Sequence, residues 1–241
     1  MKTTPIYSVL LVSIIFLMGS CTCSVNSSDR DLNFTTDERP ISEFSKLSVN
    51  GVFNLYLSQG DKESLKIEAD DETLGKIITR NSGDELLIEL EESVDLFDSE
   101  EINIYLTITD INSLEFEGVG NIRTENVLRL KDLDLKGDGV GNTKLEIEAD
   151  RIDAEFNIVG NVTLSGKVET IDLKNNGLGN VDASNLIAQF MTLNSNGIGN
   201  VEVYSEKEIS ITANGIGKVS YDGNAEVKNL NRSGIGKVEK K

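Results

Sequence analysis

The sequence predicts an all-β fold, a single-stranded parallel β-helix (solenoid), and three observations support this prediction. Nearly the same five residues, glycine, aliphatic, glycine, Asn or Lys, aliphatic, recur seven times between Gly118 and Val238 at intervals of 18 to 21 residues. The segments between these copies alternate apolar and polar residues with a period of two, which is typical of half-buried strands. A repeat of this length cannot bury its own apolar face, so each coil must stack on the next.

Each coil is predicted to hold two or three short strands joined by tight corners. Residues 133–136 before one glycine pair and 143–148 after it show the alternation. Because equivalent strands recur in the same direction once per coil, they should pair in parallel with those above and below. An antiparallel sandwich would instead need turn signals about every 8 to 12 residues, without identical sequence at every second turn.

Glycine is the defining residue of the repeat, and a backbone argument explains its presence. Corners between coils need positive φ or a close approach of two chain segments, which glycine allows because it has no Cβ. A structural turn role is therefore predicted for thirteen glycines: Gly118, Gly120, Gly139, Gly141, Gly160, Gly177, Gly179, Gly197, Gly199, Gly215, Gly217, Gly234 and Gly236. The aliphatic residue between the glycines is expected to point into the core in every copy: Val119, Val140, Val159, Leu178, Ile198, Ile216 and Ile235.

The residue after the second glycine predicts a polar ladder along the solenoid. Asparagine stands there in five copies, and its amide can hydrogen-bond along a stacked column and tolerates turn geometry. The predicted ladder consists of Asn121, Asn142, Asn161, Asn180 and Asn200. The last two copies carry Lys218 and Lys237, which should stand one above the other, face solvent and discourage further stacking at this end. A ligand role for the two lysines is the alternative.

Residues 41–117 are less regular and are predicted to form a degenerate N-terminal cap of the same solenoid. The segment 51–55 matches the later repeat, with Phe53 in the second glycine position. Strands are expected at 47–49, 52–57, 65–69, 85–90 and 102–108, and one helical turn within 71–78. The β-helical domain then covers 41–241, with seven regular coils over 118–238. Two separate domains are the alternative organisation.

Residues 1–20 have the pattern of a bacterial lipoprotein signal peptide. Lys2 supplies a positive charge, an apolar run follows over 6–18, and small residues directly precede Cys21. In this interpretation Cys21 is the acylated cysteine that anchors the chain to the outer membrane by a lipid, with the domain either periplasmic or surface-exposed. Ordinary secretion and an uncleaved N-terminal anchor are the alternatives. Residues 21–40 are predicted to form a flexible tether.

Composition excludes several classes of function. The chain has no histidine and only one thiol besides Cys21, which excludes histidine-dependent triads, histidine metal sites and a disulfide framework. A net charge of −18 argues against nucleic acid as a partner. The glycine-rich segment 137–141 does not open onto a helix, as phosphate-binding loops do. We predict no cofactor and no metal. A single divalent cation near Glu117 and Asp138 is the alternative to hydrogen-bonded turns there.

Three features together resemble a known family: the glycine repeats, the segment 44–52 and the segment 65–70. They are similar to the head GIN domain of auto-transporter adhesins, and the resemblance extends over about residues 41–238. The resemblance implies a β-helical fold, a location in the bacterial cell envelope and self-association through exposed faces. It implies no shared set of catalytic residues.

The leading hypothesis is a non-enzymatic envelope lipoprotein, an adhesin that presents a β-helical binding surface to a glycan or protein ligand on the cell surface. Edge strands and flat solenoid faces also favour a homo-oligomer. The alternative is a polysaccharide-binding or polysaccharide-cleaving β-helix, in which cleavage would use Asp, Lys and Arg on an exposed sheet or the paired carboxylates of a glycosidase. The absence of tryptophan and the 5% aromatic content weigh against this alternative, because carbohydrate grooves usually offer aromatic platforms.

Overall fold

The computed structural model describes residues 34–91 and 101–241; the predicted signal peptide, Cys21 and most of the predicted tether lie outside these residues. The described residues are nearly all β and form a β-solenoid of about six turns, which confirms the predicted fold class. A short helix, α1 (Asp71–Leu74), lies between β4 and β5. The strands are β1 (Thr35–Arg39), β2 (Lys46–Val52), β3 (Asn54–Gln59), β4 (Ser64–Ala69), β5 (Ile77–Ser82), β6 (Glu85–Leu90), β7 (Asn103–Ile108), β8 (Ser113–Thr124), β9 (Leu128–Asn175), β10 (Leu178–Ser195), β11 (Val201–Ala213), β12 (Ile216–Asp222), β13 (Glu226–Arg232) and β14 (Ile235–Lys240).

Equivalent strands of successive coils pair in parallel and in register. β8 pairs with β9 so that Gly118 lies beside Gly139 and Val119 beside Val140. The same alignment continues from β9 through β10, β11 and β12 to β14. Like residues therefore stand beside like residues at a spacing of about 4.8 Å along the solenoid axis. Seven copies of the repeat delimit six turns between them.

The strands of residues 46–90 and 103–117 belong to the same sheet and cap the N-terminal end of the solenoid. β2 pairs in parallel with β8 on one side and with β6 on the other, and β3 pairs in parallel with β8 and β7. The outermost strands are antiparallel: β5 pairs with β6, β4 with β7, and β1 with β4. All fourteen strands belong to one sheet.

The order of coils in space differs from their order in the chain at this end. The coil formed by β2 and β3 lies between β8 on one side and the pair β6 and β7 on the other, although all three of these strands follow it in the sequence. The segment between β3 and β6 supplies β4, α1 and β5, which lie further out. The cap is therefore interleaved with the first coils rather than stacked in front of them.

Residues 35–39 form strand β1, whereas the sequence analysis assigns them to a flexible tether. β1 pairs with β4 along its whole length and alternates half-buried and exposed side chains. Its last residue is anchored, because the Arg39 guanidinium donates to Thr79 Oγ1 and to the Leu74 carbonyl, both at 2.9 Å. A polar edge strand of this kind buries few apolar atoms, which is why its composition resembles that of a tether.

The helical turn expected within 71–78 is present as α1, and β5 follows it. Asp70 caps the helix, since its Oδ1 accepts the N–H of Thr73 at 2.9 Å. Within residues 34–91 and 101–241, no helix has the length and apolar character that a bilayer crossing requires.

Aliphatic columns form the core inside the coils. In one column Leu173, Leu193 and Ile211 are register partners, and all three are fully buried. The column ends at Leu230, which lies beside Ile211 and is 45% exposed, because no described strand covers the last coil. The N-terminal end of the solenoid is thus capped, while the C-terminal end of the described residues is open.

Candidate binding face

The aliphatic residue between the two glycines points outward, so the expectation that it enters the core is wrong in all seven copies. Strand β8 shows the reason. Leu114, Gly118, Gly120 and Ile122 occupy positions of the same parity, and Leu114 and Ile122 are buried. Successive side chains of a strand point to opposite faces, so the glycines lie on the inner side and Val119 on the outer side. In β8 the glycines continue the alternation of the strand.

These seven side chains form one row along the outside of the solenoid, which we call the aliphatic stripe. Its members are Val119, Val140, Val159, Leu178, Ile198, Ile216 and Ile235. Six of them are 46 to 50% exposed, and Ile235 in the last coil is 76% exposed. Neighbouring members are register partners, so each covers the flanks of the next and leaves its outer half in solvent. Exposed apolar residues usually occur singly, whereas this row extends for about 29 Å.

The glycines on the inner side allow adjacent coils to approach closely at the stripe. At Gly179, φ is 140° and an added Cβ would lie 1.8 Å from the carbonyl oxygen of Gly160. All thirteen glycines singled out from the sequence have such a conflict, with a backbone oxygen 1.7 to 2.2 Å from the added Cβ. Eight of them also have positive φ: Gly118, Gly120, Gly139, Gly141, Gly160, Gly179, Gly199 and Gly217. At the other five the close approach alone excludes a side chain.

The asparagines two positions after each of the first five stripe residues stack beside the stripe, and we call this column the first ladder. It consists of Asn121, Asn142, Asn161, Asn180 and Asn200. In the three middle rungs Nδ2 donates to Oδ1 of the preceding rung, at 3.0 Å from Asn142 and from Asn161 and at 3.2 Å from Asn180. Asn121 donates in the same way to Asn54 in the coil of β2 and β3, at 3.0 Å. The last rung differs, because Asn200 joins through its backbone N–H to Asn180 Oδ1.

A second ladder follows the other side of the stripe, two residues before each aliphatic member. It consists of Asp138, Asn157, Asn176, Asn196, Asn214 and Ser233. Asp138 accepts only, and each later side chain donates to an oxygen of the preceding rung, at 3.0 to 3.2 Å from the four asparagines and at 2.6 Å from Ser233 Oγ. The sequence predicts hydrogen-bonded turns near Asp138 and does not predict this ladder. The signal that would have identified the ladder is the recurrence of asparagine at this position in four consecutive copies.

The stripe and its two ladders form one surface, which we call the stripe face. Its three central rungs, those of Val159, Leu178 and Ile198, carry only aliphatic and amide side chains. Charged residues lie at the two ends, with Glu117 and Asp138 at the N-terminal end of the face. The centre of the face is therefore neutral in a chain whose net charge is −18.

Two lysines occupy the C-terminal end of the first-ladder column. Lys218 and Lys237 are register partners and face solvent, as the sequence indicates. Glu239 lies close to both of them, with 3.3 Å between Lys218 Nζ and its Oε1, and it forms an ion pair with Lys237. Hydrogen bonds from Lys237 and Lys218 hold the pKa of Glu239 below its usual range. Glu239 thus offsets the repulsion between the two stacked ammonium groups.

The two carboxylates at the other end of the face are also register partners. Glu117 lies beside Asp138, and Asp138 Oδ2 accepts the Asn157 amide at 3.2 Å. In the part of the chain that the structure describes, no group of three or more Cys, Asp or Glu side chains is arranged to hold a metal ion. The carboxylate of Asp138 is instead the first rung of the second ladder.

A different outward column, on β3 and β7, carries the one pair of stacked aromatic rings among the described residues. The centroids of Tyr56 and Tyr105 are 4.8 Å apart and their planes differ by 15°. Lys66 Nζ lies 4.2 Å from the Tyr105 centroid, and the Arg123 guanidinium carbon lies 4.5 Å from the Tyr56 centroid. The registers place the four in the order Lys66, Tyr105, Tyr56, Arg123. Both faces of both rings are covered, so neither ring offers a free face on which a sugar could stack.

Most of the region that carries these columns matches one family. A family model described as putative auto-transporter adhesin, head GIN domain, matches residues 43–225. The chain belongs to this family. The matched region begins just before β2 and includes the first ladder, the second ladder except Ser233 and six members of the stripe, which confirms the resemblance seen in the sequence.

Solved structures of other proteins share the fold of this family member. A putative adhesin from Bacteroides fragilis has a TM-score of 0.83 at 26% identity, and the alignment covers 86% of this chain and 97% of that one. A putative lipid binding protein from Parabacteroides distasonis has a TM-score of 0.68 at 18% identity, with 87% and 97% covered. A putative adhesin from Parabacteroides merdae has a TM-score of 0.63 at 15% identity, with 86% and 96% covered. No curated protein matches the chain significantly.

Proposed function

We propose that this member of the head GIN domain family is a non-enzymatic lipoprotein of the bacterial cell envelope whose stripe face is an adhesive binding surface. The observation that carries the proposal is the aliphatic stripe, a row of seven side chains of which six are about half-exposed and the seventh, Ile235, is mostly exposed. A contiguous exposed apolar row of this kind costs solubility and is typical of an interaction site. The description of the family as adhesins and the adhesin from B. fragilis support the same function.

A binding role rather than catalysis fits the chemistry of the surface. The repeated columns consist of aliphatic and amide side chains, which recognise a partner by contact area and hydrogen bonds. Many of the carboxylates pair along the surface with neighbouring lysines and arginines, for example Glu148 with Arg129 and Asp153 with Arg151. A typical polysaccharide-hydrolysing glycosidase would need two carboxylates on either side of one substrate bond. We therefore favour the binding function over the polysaccharide-active alternative.

The proposed location depends on Cys21 and is tested separately. A Cys21→Ser variant of the full precursor should fractionate with the soluble proteins of the cell, whereas the unchanged precursor should remain with the membranes and incorporate labelled fatty acid. Cys23→Ser is the matched control and should behave like the unchanged protein. Lipid labelling that persists in the Cys21→Ser variant would show that the anchor has been misplaced.

The binding function is tested on the full mature chain with arrays of glycans and of host and bacterial surface proteins. The stripe variant carries Val159→Thr, Leu178→Thr and Ile198→Thr, which removes apolar surface and keeps residues that favour strands. The control is Ile187→Thr, because Ile187 is a 39% exposed aliphatic residue outside the stripe. We expect an array ligand, or a second copy of the chain, to bind the unchanged protein and the control but not the stripe variant.

Two results would contradict the proposal. One is that every interaction of the mature chain survives in a stripe variant that is folded by circular dichroism. The other is turnover of a polysaccharide that a single Asp→Asn substitution abolishes, which would favour the enzymatic alternative.

A further inference from the structure

We propose that the partner of the stripe face is the stripe face of a second copy of this chain, packed against it in a two-fold dimer with the solenoid axes antiparallel. This inference rests on the proposed function, because it identifies the partner of the same surface. Three properties of the face lead to a second copy: its repeat distance, its charge and its size.

A second copy of the stripe has the same spacing between its rungs as the first. Its rungs recur at the strand spacing of about 4.8 Å, and the side chains stand in single file with open space on either side of the row. Two such rows can interdigitate over their whole length only if both have the same period. Paired sheets of stacked identical side chains pack in this way, with dry contacts between the rows. A second copy supplies an equal period at every rung, and it also places amide ladders beside amide ladders.

Charge favours the same partner and decides the orientation. Two chains that each carry −18 repel one another over most of their surfaces, but the three central rungs of the stripe face are uncharged. The ends of the face differ in sign: Glu117 and Asp138 are acidic at one end, and at the other Lys218 and Lys237, with Glu239 paired to both, leave one net positive charge. An antiparallel two-fold brings the acidic end of each face opposite the lysine end of its partner. A parallel two-fold would place acidic end opposite acidic end.

The size of the face is sufficient for a specific dimer. Seven rungs at about 4.8 Å span about 29 Å, and the three outward columns span about 13 Å of backbone, to which the side chains add several ångströms on each side. The face therefore covers on the order of 700 Å² per copy. The total of about 1,400 Å² lies within the range of about 1,200 to 2,000 Å² that is usual for specific interfaces. Leu178 is the fourth of the seven stripe residues, so it lies at the two-fold axis.

The first test measures self-association of the full mature chain with Cys21→Ser and Cys23→Ser, which prevents thiol cross-linking. Sedimentation equilibrium should show a reversible monomer–dimer equilibrium. Leu178→Thr should weaken the dimer by about tenfold or more, because the substitution changes the centre of the interface on both copies. Ile187→Thr is the matched control outside the face and should leave the dissociation constant unchanged. Circular dichroism and thermal melting must show that both variants are folded.

The second test determines the orientation with a nitroxide label on Val119→Cys in the same background. Val119 is at one end of the stripe, so the antiparallel dimer separates the two labels by about six rungs, or about 29 Å. In a parallel dimer the same labels would face each other across paired sheets, at about 10 Å. Pulsed electron paramagnetic resonance distinguishes the two distances.

The outcomes separate this inference from the proposed function. A dimer that Leu178→Thr weakens and that holds the Val119 labels about 29 Å apart supports the inference. A chain that stays monomeric, a dimer that Ile187→Thr weakens equally, or labels at about 10 Å would overturn it. A monomer whose stripe variant loses an array ligand would overturn the inference and leave the proposed function standing.

Discussion

At the scale of single residues, the direction of each side chain decides its role in the repeat. The sequence is sufficient to predict that Gly179 is structural, because glycine recurs at this position of the repeat. The structure gives the physical reason: a Cβ is excluded both by the φ of 140° and by the carbonyl oxygen of Gly160. The orientation of Leu178 is predicted wrongly, because treating each glycine pair as a corner stops the alternation there. Counting in steps of two from the buried Val181 through Gly179 places Leu178 outside. The exposure of the stripe was thus present in the pattern.

Gly179→Ala should destabilise the protein by about 3 kcal/mol, since the substitution adds a side chain at strained φ and against the backbone of the adjacent coil. Gly75→Ala is the matched control. Gly75 has helical φ of −66°, and an added Cβ there would make ordinary contacts, the nearest at 3.5 Å from Glu72 O. We expect its stability to be unchanged or slightly raised. Urea unfolding followed by circular dichroism measures both, and equal midpoints would contradict the close-approach argument.

At the scale of elements, the ladders show what a repeat reveals and what it hides. The first ladder could be predicted because asparagine follows the second glycine in five copies. The second ladder begins with an acidic residue and ends with serine, so its column is less uniform in sequence although its hydrogen bonds are equally regular. Strands β1 and β5 were not predicted, since pairing at the outer edge of the cap requires little apolar sequence. Element-scale prediction therefore fails where hydrogen bonds between distant segments, rather than burial, determine the structure.

Asn161→Ala should lower the free energy of unfolding by about 1 to 2 kcal/mol, because the substitution removes two hydrogen bonds of the first ladder. The Asn161 amide donates to Asn142 at 3.0 Å and accepts from Asn180 at 3.2 Å, and each exposed bond of this kind contributes about 0.5 to 1 kcal/mol. Asn200→Ala is the control within the same ladder. Asn200 joins through its backbone N–H, which alanine retains, so we expect little change in stability. Thermal unfolding measures the stability of both variants. A larger loss of stability in Asn200→Ala than in Asn161→Ala would contradict the stabilising role of the ladder hydrogen bonds.

At the scale of the whole molecule, the coils were predictable and the cap only in part. A fixed period specifies that each coil stacks on the next, and the match of the family model to residues 43–225 agrees with this architecture. Five strands of the cap could be located from local alternation. Their arrangement could not, because β2 pairs with β6 and β8, which lie far along the chain, and no local pattern encodes such a choice of partner.

Removal of one complete coil should leave a folded solenoid that is one turn shorter. Deleting residues 180–199 joins Gly179 to Asn200. Val181 now lies between Val162 and Val201 and pairs with both. Without it, Val162 would pair directly with Val201. Deleting only 180–189 is the control, since it shifts the register and turns inward-facing residues out of alignment. We expect native-like far-ultraviolet circular dichroism and cooperative melting for the first deletion and loss of both for the second. Similar behaviour of the two proteins would be incompatible with stacked coils.

The interleaved cap also determines when each part of the protein can mature during synthesis. A nascent chain presents β2 and β3 first, yet the neighbours of these strands on both sides are not available until residue 124 has left the ribosome. The early half of the polypeptide therefore lacks a complete template until that point. Each later coil can pair its strands with the exposed edge of a coil that has already formed. We therefore expect folding to consist of one slow step that forms the long-range contacts of the cap, followed by rapid addition of single coils.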